Sequence, residues 1–443
     1  MKLYAPWEKR FNKILSPFEE FIHAQTTTGI VLIIATIIAL ILANSPLKEA
    51  YFHFFHTPIS ITIGSFTISY SLTHWINDAL MAIFFFLVGL EIKREFLVGE
   101  LSDLKVAILP IAAAIGGMVI PALIYLAINY KGEGANGWGI PMATDIAFAI
   151  SALVLLGKRV PKSLITFLVA LAIVDDLGAV VVIAIFYTQK INFLFLSLAL
   201  ISFILMILLN RFGVTKLIPY FILSLFLWFF MLESGVHATI AGVLAALTIP
   251  SRPKKTKIGF IKSMETLLNK YKQASTHKIE LNETQKSLLN KMTQTINSVN
   301  TPAARLEHAL HLPVSLIIIP LFALANAGIE LDINRFQELL LTPISIGIIS
   351  GLVVGKVIGI FGASYILIKL KLASIPKNST LSQLFGVAFL GGIGFTMSIF
   401  VADLAFKYNE TLILQAKAAI LVASIVAALC GYIWLRFIAS KPN

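Results

Sequence analysis

Leu164-Ile-Thr-Phe-Leu-Val-Ala-Leu-Ala-Ile-Val-Asp175-Asp176-Leu-Gly-Ala-Val-Val-Val-Ile-Ala-Ile-Phe-Tyr187 is an apolar run with two adjacent aspartates near its middle and no other charged residue. At about 1.5 Å per residue, a helix of this length spans roughly 36 Å, enough to cross a hydrocarbon core of about 30 Å. Both carboxylates then fall near the bilayer midplane. A charge there costs roughly 2.5–3.5 kcal/mol on insertion scales, so an ionised pair costs on the order of 5–7 kcal/mol. A chain that retains such a pair is expected to use it.

The rest of the chain fits a membrane solvent. Apolar residues make up 58% of it and charged residues 13%, with a mean hydropathy of +0.87. Soluble domains carry about twice that share of charge, so the composition predicts an all-α polytopic membrane protein. Hydropathy places about twelve spans, centred near residues 36, 83, 117, 147, 175, 202, 224, 242, 317, 355, 393 and 425. With a cytoplasmic N-terminus, about 28 Lys/Arg fall on the inner side, about six on the outer side, and Lys356 lies inside a span. That asymmetry accounts for the net charge of +12 without nucleic acid, and it puts both termini in the cytoplasm. Met1–Leu15 is charged and amphipathic, so no cleaved signal peptide is expected. The single cysteine, Cys430, excludes an intrachain disulfide.

The whole of 1–443 reads as one transporter domain with three appendages. Residues 5–26 form an expected interfacial amphipathic helix, with Trp7, Phe11, Phe18 and Phe21 on its apolar side. Residues 56–70 alternate strictly around Gly64-Ser65, which predicts an external β-hairpin with a type II′ turn. A lone hairpin is marginal in water, so a second subunit is expected to pair with it, the alternative being a hairpin folded back on its own protein. Residues 251–302 are a basic cytoplasmic loop with ten basic and three acidic residues, expected to be a solvated linker with one short helix, with a lipid-headgroup contact or a regulatory arm as the alternatives. Spans 3–5 and 10–12 are two three-helix units in opposite orientation. The middle span of each is interrupted, by Gly139-Ile140-Pro141 in span 4 and by Gly391-Gly392-Ile393-Gly394 in span 11. Unwound backbone at membrane depth must line a cavity or face protein, and matching breaks in inverted repeats point to a binding site.

Few ionisable groups lie at that depth: Asp145, Asp175, Asp176 and Lys356, with Asp78, Glu91, His237 and Asp403 nearer a surface. Asp175 and Asp176 point about 100° apart on a helix and are expected to titrate as one coupled unit. The plainest structural alternative is a buried ion pair with Lys356, although one lysine cannot neutralise both acids. Asp145, at the break in span 4, is expected to balance half-helix N-termini, and Lys356 the facing C-termini, with an ion-handling role equally open for both. Thr144 offers oxygen ligands to a hard cation. Glu91, Arg94 and Glu95 end span 2, while Arg305, Glu307, His308 and His311 begin span 9. Together they form a candidate cytoplasmic pH sensor, the alternative being a solvated helix end whose basic residues fix topology, while His237 reads on its own as a helix-packing histidine rather than a sensor.

These residues resemble the NhaA family of sodium–proton antiporters, from about Pro17 to Phe437 and with 251–302 poorly covered. The matching strings are Trp75-Ile76-Asn77-Asp78, Gly89-Leu90-Glu91-Ile92-Lys93-Arg94-Glu95, Ala143-Thr144-Asp145-Ile146-Ala147-Phe148 and Asp175-Asp176-Leu177-Gly178-Ala179. Further on come Ser234-Gly235-Val236-His237-Ala238-Thr239, Arg305-Leu306-Glu307-His308, Gly355-Lys356 and Gly391-Gly392-Ile393-Gly394-Phe395-Thr396-Met397-Ser398. Paired broken repeats are themselves a property of that family, so pattern and resemblance are one indication, not two.

The resemblance implies an inner-membrane antiporter with crossed broken spans and no cofactor. It implies Na+ or Li+ and H+ as cargo at Asp175 and Asp176, with Asp176 essential. Asp145 and Lys356 match the charge-balancing pair, the lysine trading its salt bridge for a proton. Glu91, Arg94, Glu95, His237, Glu307, His308 and His311 match positions tied to pH response, and the hairpin matches a homodimer contact among membrane lipids. Val357, the length of 251–302 and Asp403 depart from the family pattern.

The expected function is electrogenic, pH-activated sodium/proton antiport rather than an enzymatic reaction, and no residue is assigned a catalytic role. Intramembrane aspartyl proteases carry Gly-x-Gly-Asp, which is absent, and diphosphate-binding sites need a third spaced acid. A cation channel or a sodium-coupled symporter of an organic solute stays open on the residues alone.

Overall fold

The computed structural model describes residues 25–64, 66–188, 191–253, 256–274, 281–330 and 333–439. The interfacial helix expected over 5–26 lies essentially outside them. In chain order the elements are α1 (Gln25–Ala43), α2 (Lys48–His56), β1 (Pro58–Ile63), β2 (Phe66–Ser71), α3 (Leu72–Val98) and α4 (Leu104–Asn129). After a 3-10 stretch, Glu133–Met142, come α5 (Ile146–Leu155), α6 (Lys162–Phe186), α7 (Phe193–Arg211), α8 (Leu217–Ser234) and α9 (Thr239–Thr248). Then follow α10 (Lys257–Gln273), α11 (Glu283–Val299), α12 (Pro302–Asn326), α13 (Ile333–Leu340), α14 (Pro343–Lys369), α15 (Leu381–Leu390), α16 (Phe395–Ala405) and α17 (Glu410–Ile438). Among the described residues, eight helices are long and apolar enough to cross a membrane, or up to eleven if each bent pair counts as one span. The chain is an all-α multi-pass membrane protein. The centre near residue 242 is a helix of only ten residues, α9, short of a full crossing on its own.

The hairpin forms as an antiparallel pair, with Pro58 opposite Ser71 and Ile63 opposite Phe66. Gly64 takes φ +62°, a region that disfavours a Cβ and suits a two-residue turn. Ser60–Ser69 and Thr62–Thr67 hydroxyl contacts of 2.8 and 3.2 Å line one of its faces.

The described residues divide into two compact units. The first comprises those of 1–84, 95–189 and 313–443. Its core packs Leu109 and Ala113 of α4, Leu153 of α5, Leu164, Leu168 and Leu171 of α6, Ile360 of α14 and Leu384 and Val387 of α15. Without a hydrophobic drive between helices in lipid, close packing needs small residues. At the crossing of α4 and α14, a Cβ on Gly116 would stand 2.3 Å from the carbonyl oxygen of Gly359, and one on Gly359 2.1 Å from that of Gly116. This near contact of backbones brings Lys356, a turn away on α14, against Gly117.

The second unit comprises residues 85–94 and 190–312. Here α9 ends on side chains: Lys93 donates to the carbonyl of Leu247 at 2.7 Å and to that of Ile249, and Asn210 donates to that of Thr248. These bonds satisfy carbonyls that a helix end leaves open. The stretch 251–302 departs from the single short helix expected. It holds two 17-residue helices, α10 and α11, started by a Thr256 cap and an Asn282/Gln285 capping box. Phe260, Met264, Leu267 and Tyr271 recur at helical spacing on α10, and Leu288 is buried on α11, so two weak amphipathic signals form a pair.

Gly359→Val should force α4 and α14 apart and destabilise the protein by about 1–3 kcal/mol. Gly362→Val, where a Cβ meets nothing within 4 Å, should leave thermal unfolding in detergent unchanged. Equal melting of the two variants would refute the close-crossing account.

Candidate ion-binding site

The site is built where two helices fail. Pro141 closes the 3-10 stretch, Ala143 and Asp145 adopt extended backbone, and α5 starts at Ile146, bent 41° from the preceding segment. Gly391-Gly392-Ile393-Gly394 separates α15 from α16 at a bend of 46°. The two breaks bind each other directly. Asp145 N donates to the Ile393 carbonyl at 2.7 Å, Thr144 Oγ1 to that of Gly391 at 2.9 Å, and Ser398 Oγ to that of Ile140 at 2.9 Å. A side chain at Gly392 would stand 2.3 Å from the Leu352 carbonyl oxygen, so the crossing leaves no room for one there.

Asp145 serves both helix starts at once. One carboxylate oxygen accepts from Phe148 N at 3.1 Å at the start of α5. The other accepts from Thr396 N at 3.1 Å and from Thr396 Oγ1 at the start of α16. A buried anion between two positive helix ends satisfies their unpaired N–H groups and their dipoles together. Thr396 had no reading from sequence, although a threonine in the first turn after a Gly-rich break is a capping signal. Ser424 of α17, which accepts from Phe395 N at 3.1 Å, gave no such signal, because its partner is distant in sequence.

Asp175 and Asp176 sit mid-way along α6, each 1% exposed. Lys356 of α14 is fully buried, and its ammonium donates to Asp175 Oδ2 at 2.7 Å and to Thr144 Oγ1 at 2.9 Å. The charge of Asp176 acts on the same ammonium. Asp175 Oδ1 is buried and accepts no hydrogen bond from the described residues. The lysine therefore holds one member of the acidic pair and a threonine of the break, rather than helix C-termini alone. The hydroxyl of Thr144 is used in both directions, donating to Gly391 and accepting from Lys356.

A family model described as "Na+/H+ antiporter 1" matches residues 19–435. The chain belongs to this antiporter family. It is 61% identical over 447 residues, the full length of both chains, to the "Na(+)/H(+) antiporter NhaA" of Sulfurimonas denitrificans. It is 50% identical over 439 residues to the "Na(+)/H(+) antiporter NhaA 1" of Saccharophagus degradans, covering 99% of this chain and 95% of the relative. With the "Na(+)/H(+) antiporter NhaA" of Dichelobacter nodosus the figure is 48% over 445 residues, again 99% and 95%.

The residues grouped above as a candidate pH sensor divide between the two units. In the second, Arg94 donates to Glu307, whose side chain is only 12% exposed. Glu91 belongs to the same unit, His308 and His311 lie exposed on the first turns of α12, and His237 is half-buried in the Gly235–Ala238 break before α9. In the first unit, Glu95 accepts from Glu100 N at 3.0 Å and lines a cavity of about 530 Å³ with Glu100, Asp103, Thr166 and Val169. Of the acids the sequence reading set apart, Asp78 pairs with His74 at 3.0 Å and Asp403 with Lys417 at 3.1 Å.

Thr396→Val removes one donor to Asp145 and leaves a buried carboxylate less satisfied. It should lower stability by about 1–3 kcal/mol, and in an Asp145→Asn background the same change should cost less. Additive losses in that double-mutant cycle, read by thermal unfolding in detergent, would show that the two groups act separately.

Proposed function

We propose that this chain is an electrogenic Na+/H+ antiporter in which exported sodium (or lithium) binds at the Asp175–Asp176 pair in competition with protons held on Asp176 and on Lys356, the partner of Asp175. The observation that carries the reading is the buried Lys356–Asp175 pair beside a second buried acid. Family membership supports the antiport itself. With protons bound, Lys356 is a cation, Asp175 an anion and Asp176 a neutral acid, so the three groups sum to zero. With sodium bound to two carboxylates and a neutral lysine, they sum to −1. Exchange of two protons for one sodium therefore moves one net charge, and membrane potential drives it.

The chemistry follows from the surroundings. An ammonium and two carboxylates out of water are stable only as a matched set, so removal of a proton from Lys356 releases Asp175 and the Thr144 hydroxyl. Two carboxylates and a hydroxyl oxygen suit a hard cation. Asp145 takes no part in the exchange; it holds the two half-helix starts that fix Thr144. The cavity at Glu95 supplies access. Thr166 and Val169 on its wall share a face of α6 with Ile173 and Asp176, at spacings of three, four and three.

We further read α1, α3, α4, the 3-10 stretch with α5, α6, α7, α8, α9, α12, α14, α15 with α16, and α17 as twelve spans. Spans 3–5 and 10–12 are then inverted repeats and both termini face the cytoplasm of a bacterial inner membrane. In this reading the β-hairpin joins two copies in a dimer. The titratable groups near the cytoplasmic ends of spans 2 and 9, with Arg94–Glu307 at their centre, set the pH range of activation together with His237.

Asp176→Asn should abolish sodium-dependent proton release from reconstituted vesicles, and exchange at the wild-type rate would sink the site assignment. Because protons and sodium compete, the apparent KM for sodium should fall between about pH 6 and about pH 9, by up to about tenfold per unit for each proton displaced. A KM independent of pH would refute competition while leaving antiport intact.

A further inference from the structure

The helical pair in 251–302 has two unlike sides. The end of α10 is tied to the start of α11 by Asn282 Nδ2 donating to the Ala274 carbonyl at 3.4 Å, so the helices run antiparallel. Phe260, Met264, Leu267 and Tyr271 of α10 and Gln285, Leu288 and Thr295 of α11 make up the packed faces. At about 100° per residue, Ile261 and Leu268 lie roughly 80° round from the packed face of α10. Leu289 and Ile296 lie roughly 70° round from that of α11, in the same angular sense. In an antiparallel pair, flanks displaced in the same sense fall on the same side. One side of the hairpin therefore presents four large aliphatic side chains, 54%, 46%, 37% and 49% exposed respectively, and its outer edge carries Lys272 and Lys286 together with Glu265. The opposite flank carries Thr266, Lys270, Ser287 and Lys291, with no apolar side chain.

We propose that the aliphatic side of the α10–α11 hairpin docks on an anionic phospholipid surface. Residues 251–302 hold ten basic and three acidic residues, complementary to acidic headgroups. Aliphatic side chains edged by lysines are the pattern of a helix lying in the interface, where lysine stems follow the apolar surface and their heads stay in water. The hairpin also starts and ends at one place. Ala303 N donates to the Pro250 carbonyl at 3.1 Å, which returns the excursion to the ends of α9 and of the membrane-spanning α12. Docking thereby bears on the first turns of α12, which hold Glu307, His308 and His311. It holds whether or not Asp175 and Asp176 bind the ion.

The test uses full-length protein with Cys430→Ser and single nitroxide-labelled cysteines at 268, 289, 270 or 291, reconstituted in bilayers of phosphatidylcholine alone or with one-third phosphatidylglycerol. In the anionic bilayer, labels at 268 and 289 should relax with dissolved oxygen and be shielded from a water-soluble nickel chelate, while labels at 270 and 291 show the reverse. Lys272→Glu with Lys286→Glu, or removal of phosphatidylglycerol, should return 268 and 289 to water. Four equally water-exposed positions in both bilayers would overturn the proposal. So would shielding of 268 and 289 that persists in lipid-free detergent and grows with protein concentration, which marks a second copy as the occupant.

Discussion

Polar groups at membrane depth have no water to fall back on, and the core of the first unit is organised around that constraint. Two helices are broken there, which frees backbone N–H and C=O groups that cost several kcal/mol each if left unpaired in hydrocarbon. The breaks satisfy one another through Asp145, Thr144 and Ser398, and the one carboxylate of Asp145 closes both helix starts. Lys356 then ties Thr144 of this crossing to Asp175 of α6. The glycine crossing of α4 and α14 carries the lysine into reach. Without the close approach Lys356 and Asp175 would be unpaired charges in a dry interior, and without the shared carboxylate the N–H groups of Phe148 and Thr396 would lose their acceptor.

Much of this was legible in the sequence, for physical reasons. Asp175 and Asp176 stand out because an apolar run makes any charge conspicuous, and Gly391–Gly394 and Pro141 announce broken helices by what they do to backbone conformation. The Gly64 turn of the hairpin was readable for the same reason. What the sequence held back was partnership across the fold. Nothing local marks Thr396 as the donor to Asp145, or Thr144 as the second acceptor of Lys356, since those contacts join residues hundreds of positions apart. The lysine was expected at helix C-termini, where a dipole favours it; a carboxylate is the stronger partner for an ammonium, and the geometry follows the stronger attraction. The α10–α11 pair was missed because its apolar positions are few and diluted with lysine, so neither helix reads as having a core until the two are put together.

Fold and proposed exchange meet in Lys356. A purely structural lysine buried with one acid is no more stabilising than a well-packed apolar pair. Retaining it makes sense where the pair must open. Two carboxylates in the same dry pocket cannot both ionise without a cation nearby, and two cations are available: the ammonium of Lys356 or an ion from solution. Either one can satisfy Asp175, and in the proposed exchange both use the same oxygens, those of Asp175 and Thr144 that Lys356 now occupies. Competition for those shared oxygens, not an excess of positive charge, is what sets the two occupants against each other. Because Thr144 lies on the break and bonds to Lys356, a change of occupant at Asp175 alters a hydrogen bond of the crossing itself. Chemistry at the acidic pair is thereby linked to the irregular backbone where the two broken helices cross.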